Sequence, residues 1–280
     1  MNDLISIVLP VYNGARYLRE SIDSVLKQTH TNWELLILDD CSTDETPAIA
    51  MEYEKADSRI HYHRNQTNLK LPGNLNAGFR LAKGDYLTWT SDENRVRPMA
   101  LEKMLAALKQ NNAHLAYASY QVIDEDGNDT FVMHVDPRGA EHILGSNVVG
   151  ACFLYTRKVY ETVGEYNTSL FLVEDFDYWQ RVLMKFPGIA IQEILYEYRH
   201  HGGSLTSTKN QKRYGEVLEK MLLTNRPGFG RISLEAAYYY YRALKKSREC
   251  QGVSNPDLYR YHALHAMHQV RHALGRLWKR

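Results

Sequence analysis

The chain has 280 residues, 44% of them hydrophobic, and a formal net charge of +1. A balance this close to neutral carries no basic footprint for nucleic acid. The three cysteines (Cys41, Cys152 and Cys250) share no close spacing, which excludes a zinc knuckle and a disulfide framework and suits a reducing, cytoplasmic setting. The opening "MNDLISIVLPVYNG" lacks the basic region of a signal peptide, and no stretch approaches the roughly 18 apolar residues of a membrane span.

In chain order, "ISIVLPVYN" reads as a buried strand running into a Pro/Asn/Gly loop, and "ARYLRESIDSVLKQ" as a helix with Tyr17, Leu18, Ile22, Val25 and Leu26 on one face. "WELLILDD" predicts a second strand ended by acids, and "CSTDETPAIAMEYEKA" a helix opened by Ser/Thr/Asp caps. "RIHYHRN" and "DYLTWTSDEN" predict the third and fourth strands, with the helix "LPGNLNAGFRLAK" between them and "PMALEKMLAALKQN" after them. Strand and helix alternate four times, which predicts a parallel, doubly wound α/β sheet. Beyond residue 115 the alternation loosens. "HLAYASYQVIDEDGN" and "TFVMHV" read as strands, "NVVGACFLYTRKVYETVG" as strand then helix, "LFLVEDFDYWQRVLMKF" as an acidic opening to a helix, and "IAIQEILYEYRHHGGSLT" as a strand entering a glycine-rich basic loop.

Ligands of such sheets bind beyond the carboxyl ends of the strands. Three of the first four ends carry polar groups: Tyr12-Asn13-Gly14, Asp39-Asp40 and Asp92-Glu93-Asn94. Neither GxGxxG after the first strand nor GxxxxGK[ST] occurs, so a dinucleotide cradle and a P-loop are both excluded. A phosphate site edged by carboxylates requires a divalent cation of the magnesium or manganese type between the charges.

"ISIVLPVYNGARYLRESIDSVLKQTHTNWELLILDDCSTDET", "GDYLTWTSDEN", "VEDFDYWQRV" and "YRHHGGSLT", in this order, resemble the family 2 glycosyltransferases of the GT-A fold, over roughly residues 4 to 208. The resemblance implies an inverting transferase with a nucleotide-sugar donor, most simply UDP-linked, and Mn2+ or Mg2+. It implies that Pro10 and Tyr12 lie against the base and that Asp39 and Asp40 read base and ribose. Asp92 and Glu93 match the DXD-type element, Asp92 meeting ribose, sugar or metal and Glu93 the metal. Glu93 departs from the family's usual Asp, one methylene longer, and Asn94 is given a lesser part. Asp175 matches the catalytic base with Glu174 orienting it or the acceptor, while Glu174 and Asp177 compete for the base on chemistry alone. His201 matches a late histidine that is either a third metal ligand or an idle loop residue. Arg199 and Ser204 are placed on phosphate, beside the freely rotating Gly202-Gly203. The acceptor implied is a glycan or a lipid-linked glycan.

The division expected is a GT-A domain over 1–210 and a helical, basic extension over 211–280. In "YHALHAMHQVRHALGRLWKR" an apolar stripe runs beside Arg271, Arg276, Lys279 and Arg280, with no acid after Asp257. That composition fits a packed helix, a peripheral helix on an anionic membrane face, or a homo-oligomer contact; four histidines, at 262, 265, 268 and 272, fit its polar side or a metal. Two rival functions share the fold's chemistry: a nucleotidyltransferase, which requires a glycine-rich basic first loop, and a non-catalytic sugar-nucleotide or glycan-binding protein, favoured only by Glu93.

Overall fold

The structure, a computed structural model, describes residues 3–137, 139–202, 211–229 and 234–251. Among the described residues nine strands form one sheet in the order β3-β2-β1-β4-β8-β6-β9-β5, with β7 (Asp129–Met133) paired to β6. β1 (Ile5–Val11) and β2 (Trp33–Asp39) are buried along their whole length. Helices cover both faces, so these strands read as continuous apolar runs with no polar alternation. Their side chains divide between two cores. Ile7, Leu9, Leu35 and Ile37 face α1 (Leu18–Leu26) and α4 (Ala100–Gln110), whereas Val8, Leu36 and Leu38 face α3 (Lys70–Leu81). Each such side chain contributes about 1.5–3 kcal/mol by leaving water. A Cβ on Gly78 of α3 would sit 2.5 Å from Val8, so the helix crosses β1 at a separation only glycine permits.

The first four strands, including β3 (Ile60–Arg64) and β4 (Tyr86–Trp89), are parallel as the alternation predicts. Beyond β4 the sheet is mixed. β8 (Phe153–Thr156) runs antiparallel to both β4 and β6 (Leu115–Ile123), and β9 (Gly188–Arg199) is parallel to β6. The carboxyl ends of β1, β2, β4, β6 and β9 therefore share one edge of the sheet. Two elements had no sequence signature: β5 (Arg95–Val96), a two-residue strand paired to β9, and the single turn α5 (Gly139–His142). "SDEN" does not extend β4. It forms the turn between β4 and β5.

On the second face, α6 (Arg157–Val163) and α7 (Glu174–Leu183) pack with α8 (Gln211–Asn225) and α9 (Leu234–Cys250). Leu218, Met221, Leu222, Tyr240 and Leu244 of the last two helices belong to the same core as Tyr178 and Trp179 of α7. Among the described residues no helix is long and apolar enough to cross a membrane. The basic stripe and four histidines of residues 258–280, and Ser204, lie outside the described residues.

Candidate active site

The loop after β1 is built by the loop after β2. Asn13 has a positive φ of 54°, and its backbone N–H donates to Ser42 Oγ at 2.9 Å. Asn13 Oδ1 accepts from the Thr43 N–H at 2.8 Å, Thr46 Oγ1 accepts from the Gly14 N–H at 3.0 Å, and Asp44 accepts from Ala15 at 3.1 Å. "STDET", read as helix capping, is thus largely spent on the neighbouring loop, and the N-cap of α2 (Thr46–Ala56) has no side-chain bond. The stitching leaves the Tyr12 ring 55% exposed at the sheet edge, where a base can stack on it. Pro10, expected beside it, is a buried interior residue of β1 in register with Leu38. Pairing with β4 stops at Val8, so the missing Pro10 N–H costs no ladder bond there.

The two acids at the end of β2 differ. Asp39 is 0% exposed, and its oxygens accept from the Ser42 N–H (2.7 Å), the Tyr62 hydroxyl (2.7 Å) and Arg64 (3.2 Å). This corrects the expectation that both acids read the nucleotide: Asp39 braces the loop that carries Asp40. Asp40 Oδ1 accepts from Asn65 (2.9 Å) and the Leu69 N–H (2.8 Å), which leaves Oδ2 without a donor of its own among these contacts.

In the turn after β4, burial, then the neighbouring Glu93, pushes the Asp92 carboxyl up to about 7, with Asp44 adding in the same direction. The loop after β1 closes over it: a Cβ on Gly14 would lie 1.8 Å from Asp92 Oδ2. Glu93 Oε2 is 2.5 Å from His201 Nε2. Asn94, given a lesser part, is buried, and its Oδ1 accepts from the Arg199 N–H at 2.8 Å, a structural tie. Arg199, expected on phosphate, is 1% exposed and donates to the carbonyls of Glu93, Asp124 and Glu125 and to the Glu20 carboxylate. Its guanidinium is committed to protein oxygens.

The third cluster opens α7. Leu172 holds φ at 91°, a strained value for a leucine, and its N–H donates to Glu174 Oε2 at 2.7 Å. Glu174 therefore secures the turn into the helix. Asp175 Oδ1 accepts from the Phe176 N–H at 2.7 Å and Oδ2 from Asn147 at 2.8 Å. Burial raises the pKa of both carboxyls, Asp175 adding to the rise at Glu174, while the Phe176 and Asn147 donors moderate that of Asp175. Asp175 acts electrostatically on Tyr120 of β6 and Tyr214 of α8, which places it where sheet edge and helical extension meet. The competitor Asp177 is removed by geometry: its oxygens accept from Arg181 (2.9 Å) and Asn225 (2.9 Å), tying α7 to α8.

A stability test separates Glu174 from Asp175. A carboxyl whose folded pKa is raised is neutral in both states below its unfolded value and costs stability as pH climbs above it. Glu174→Gln keeps an oxygen for Leu172 and removes the charge. The variant should match wild type near pH 4 and exceed it by roughly 5 °C in Tm near pH 8; a gain independent of pH would show that Glu174 titrates normally.

The donors at the sheet edge fit a divalent cation. Burial, then Glu93 and Asp44, disfavour the charged form of Asp92, which a cation beside it would offset, and the oxygens are hard. Asp92, Glu93 and His201 do not close into one ligand set, and no group of three or more such side chains able to hold a metal occurs among the described residues. Imidazole and carboxylate satisfy one another directly instead. An incomplete oxygen set suits a cation of the magnesium class, which takes one or two carboxylates and completes its shell from substrate phosphates and water.

This mixed sheet, with the ends of β1, β2, β4 and β9 at one edge, is the GT-A fold of nucleotide-sugar transferases. The Staphylococcus aureus TarS structure in complex with UDP-GlcNAc matches with a TM-score of 0.66 at 14% identity, covering 88% of this chain and 81% of that one. The mannosyltransferase PcManGT from Pyrobaculum calidifontis, in complex with GDP-Man and Mn2+, matches with a TM-score of 0.64 at 14% identity over 95% and 80%. The chain belongs to Glycosyl transferase family 2, whose profile matches residues 6–164. An uncharacterized glycosyltransferase of Rickettsia typhi is 30% identical over 226 residues, 77% of this chain and 70% of that protein. TuaG of Bacillus subtilis, named as a candidate teichuronic acid biosynthesis glycosyltransferase, is 29% identical over 210 residues, 74% and 82% of the two chains. The match spans 66% of a Rickettsia prowazekii relative and 36% of a Rickettsia felis relative. Family membership sets aside the nucleotidyltransferase reading.

The sequence reading missed the groups that hold the site: Gly14 against Asp92, Asn147 on Asp175, and Glu20 and Tyr17 around Arg199. Only the long spacing between "RYLRE" and "EYRHH" separates the last three, and spacing alone gives no pairing signal.

Proposed function

We propose that this enzyme transfers one sugar, with inversion, from a UDP-sugar to a hydroxyl of a surface-glycan acceptor. Tyr12 stacks on the base and Asp40 Oδ2 accepts from its imide. Asp92 and Glu93 would hold a divalent cation, with His201 orienting Glu93 through their mutual bond. That cation, when bound, supplies positive charge to the leaving diphosphate. Asp175 takes the proton of the acceptor hydroxyl as its oxygen bonds to the anomeric carbon and the bond to the diphosphate breaks. A raised carboxyl pKa makes Asp175 a stronger base than a solvated aspartate. α8 and α9 are read as an extension that walls the acceptor side through Tyr214, and the likeness to TuaG supports a polysaccharide acceptor.

The observation that carries this reading is the separation of roles among the carboxylates: Asp92 and Glu93 at the strand ends, Asp175 at the start of α7. Calorimetric titration of UDP, GDP and dTDP, with and without Mn2+, tests it. The expected result is tight binding of UDP only, and only with metal, lost in Glu93→Ala. Metal-independent binding would overturn the role of the acids, and preference for GDP would overturn the donor.

A further inference from the structure

We propose that Arg199 is a positioning residue of the donor site, locked by Glu20 and Tyr17, and that it sets the place of Glu93 without touching the donor. The inference rests on the role of Glu93 argued above. Arg199 Nε donates to the Glu93 carbonyl at 3.0 Å, Nη1 to the carbonyls of Asp124 (3.3 Å) and Glu125 (2.9 Å), and Nη2 to Glu20 Oε2 at 2.7 Å. Four of its five N–H groups are thus spent on protein oxygens, and the side chain is 1% exposed. A phosphate oxygen would have to displace those bonds.

The lock is built from four distant segments, the turn after β6 with Asp124 and Glu125 among them. The guanidinium carbon lies 4.3 Å from the centroid of the Tyr17 ring, the Tyr17 hydroxyl donates to the Glu125 carbonyl at 3.2 Å, and the His201 ring is 5.7 Å from Tyr17. Tyr17 and Glu20 stand at the start of α1, Glu93 in the turn after β4, and Arg199 at the end of β9. The buried guanidinium needs a counter-ion, and Glu20, 49% exposed, supplies it from the protein surface. Glu20 also receives Arg95 at 3.4 Å, and Arg95 reaches Glu197 at 2.6 Å, so the lock continues along β9. One planar fork therefore joins the backbone of Glu93 to the strand that delivers His201. Lysine cannot reproduce it, since its ammonium cannot reach the Glu93 carbonyl and Glu20 in the same plane.

Wild type, Glu20→Ala, Arg199→Lys, their double variant, and Arg19→Ala as an exposed control are compared in two ways. Mn2+ binding in the presence of UDP is followed by electron paramagnetic resonance, and the His201 ring is followed by 15N-edited spectra without metal or nucleotide. Glu20→Ala and Arg199→Lys should each weaken Mn2+ binding about tenfold or more, as outer-shell partners do. Both should shift the His201 ring signals, and the double variant should do little more than either alone because the two residues act as one unit. Arg19→Ala should change neither. Should Glu20→Ala fold poorly, Glu20→Gln removes the charge alone and should move both readouts in the same direction. Unchanged Mn2+ binding and an unchanged His201 ring in Glu20→Ala would overturn the inference, as would additive losses in the double variant. If wild type itself binds no UDP and Mn2+, the donor-site reading fails, and the His201 ring alone then decides for or against the lock.

Discussion

Asp175→Asn is expected to abolish sugar transfer and leave UDP affinity within about twofold of wild type. The asparagine keeps an oxygen for the Phe176 N–H, the 2.7 Å bond that seats the side chain, and gives up only the bond from Asn147, whose own Oδ1 stays held by the Gly150 N–H at 3.2 Å. What disappears is the lone pair that accepts the proton, a contribution of about 10²- to 10⁴-fold in rate. Wild-type turnover should climb with pH well above the ordinary carboxylate range, because burial raises both members of the Glu174–Asp175 pair and the base acts only when ionised. That limb should vanish in the variant. Equal loss of UDP binding and turnover would remove Asp175 from the role of base. Asp177→Asn supplies the contrast: it should loosen the tie to Asn225 and lower Tm while turnover at low temperature survives.

Gly14→Ala is expected to cost metal-dependent UDP binding about 100-fold, although residue 14 touches no ligand in the proposed function. Its Cβ would stand 1.8 Å from Asp92 Oδ2 and 2.6 Å from Val11 Cγ2. The backbone cannot retreat. The Gly14 N–H is bonded to Thr46 at 3.0 Å, and its carbonyl accepts from Tyr17 and Leu18 at 3.2 and 3.1 Å. Asp92 must therefore swing away, and overpacking at this contact should also lower stability by about 1–3 kcal/mol. Calorimetry with UDP and Mn2+, beside a thermal melt, reads both effects. Asp92→Asn, which adds no volume, separates them: binding should fall as far while Tm holds or rises, because a desolvated charge is removed. Wild-type binding in Gly14→Ala would mean that Asp92 does not hold the cation.

Sequence periodicity carried the first half of the fold because β1 to β4 and their helices each bury one continuous apolar face, and local pattern suffices when neighbours in sequence are neighbours in space. It failed at β5, whose two residues exist only because β9 pairs with them, and at the antiparallel β8, whose direction is set by the partners on either side. The motifs name Asp92, Glu93, Glu174 and Asp175, and with the same weight Asp39, Pro10 and Arg199, which lie buried among protein atoms. A motif records which residues keep company along the chain. It does not distinguish one that meets a ligand from one that holds its neighbour.

The sequence by itself determined the fold class, the family and the strand ends where the chemistry collects, because these follow from apolar spacing and from short contiguous motifs. Tertiary structure alone decided which oxygen of each acid remains available. It showed Asp40 Oδ2 left over where Asp39 is consumed, Asp175 at the sheet edge where Asp177 is tied to α8, and a guanidinium from residue 199 bonded to a carboxylate from residue 20. The physical reason is that a polar group's role depends on whether its hydrogen-bonding capacity is already satisfied, and those partners range from residues three or four positions away to one 179 positions away.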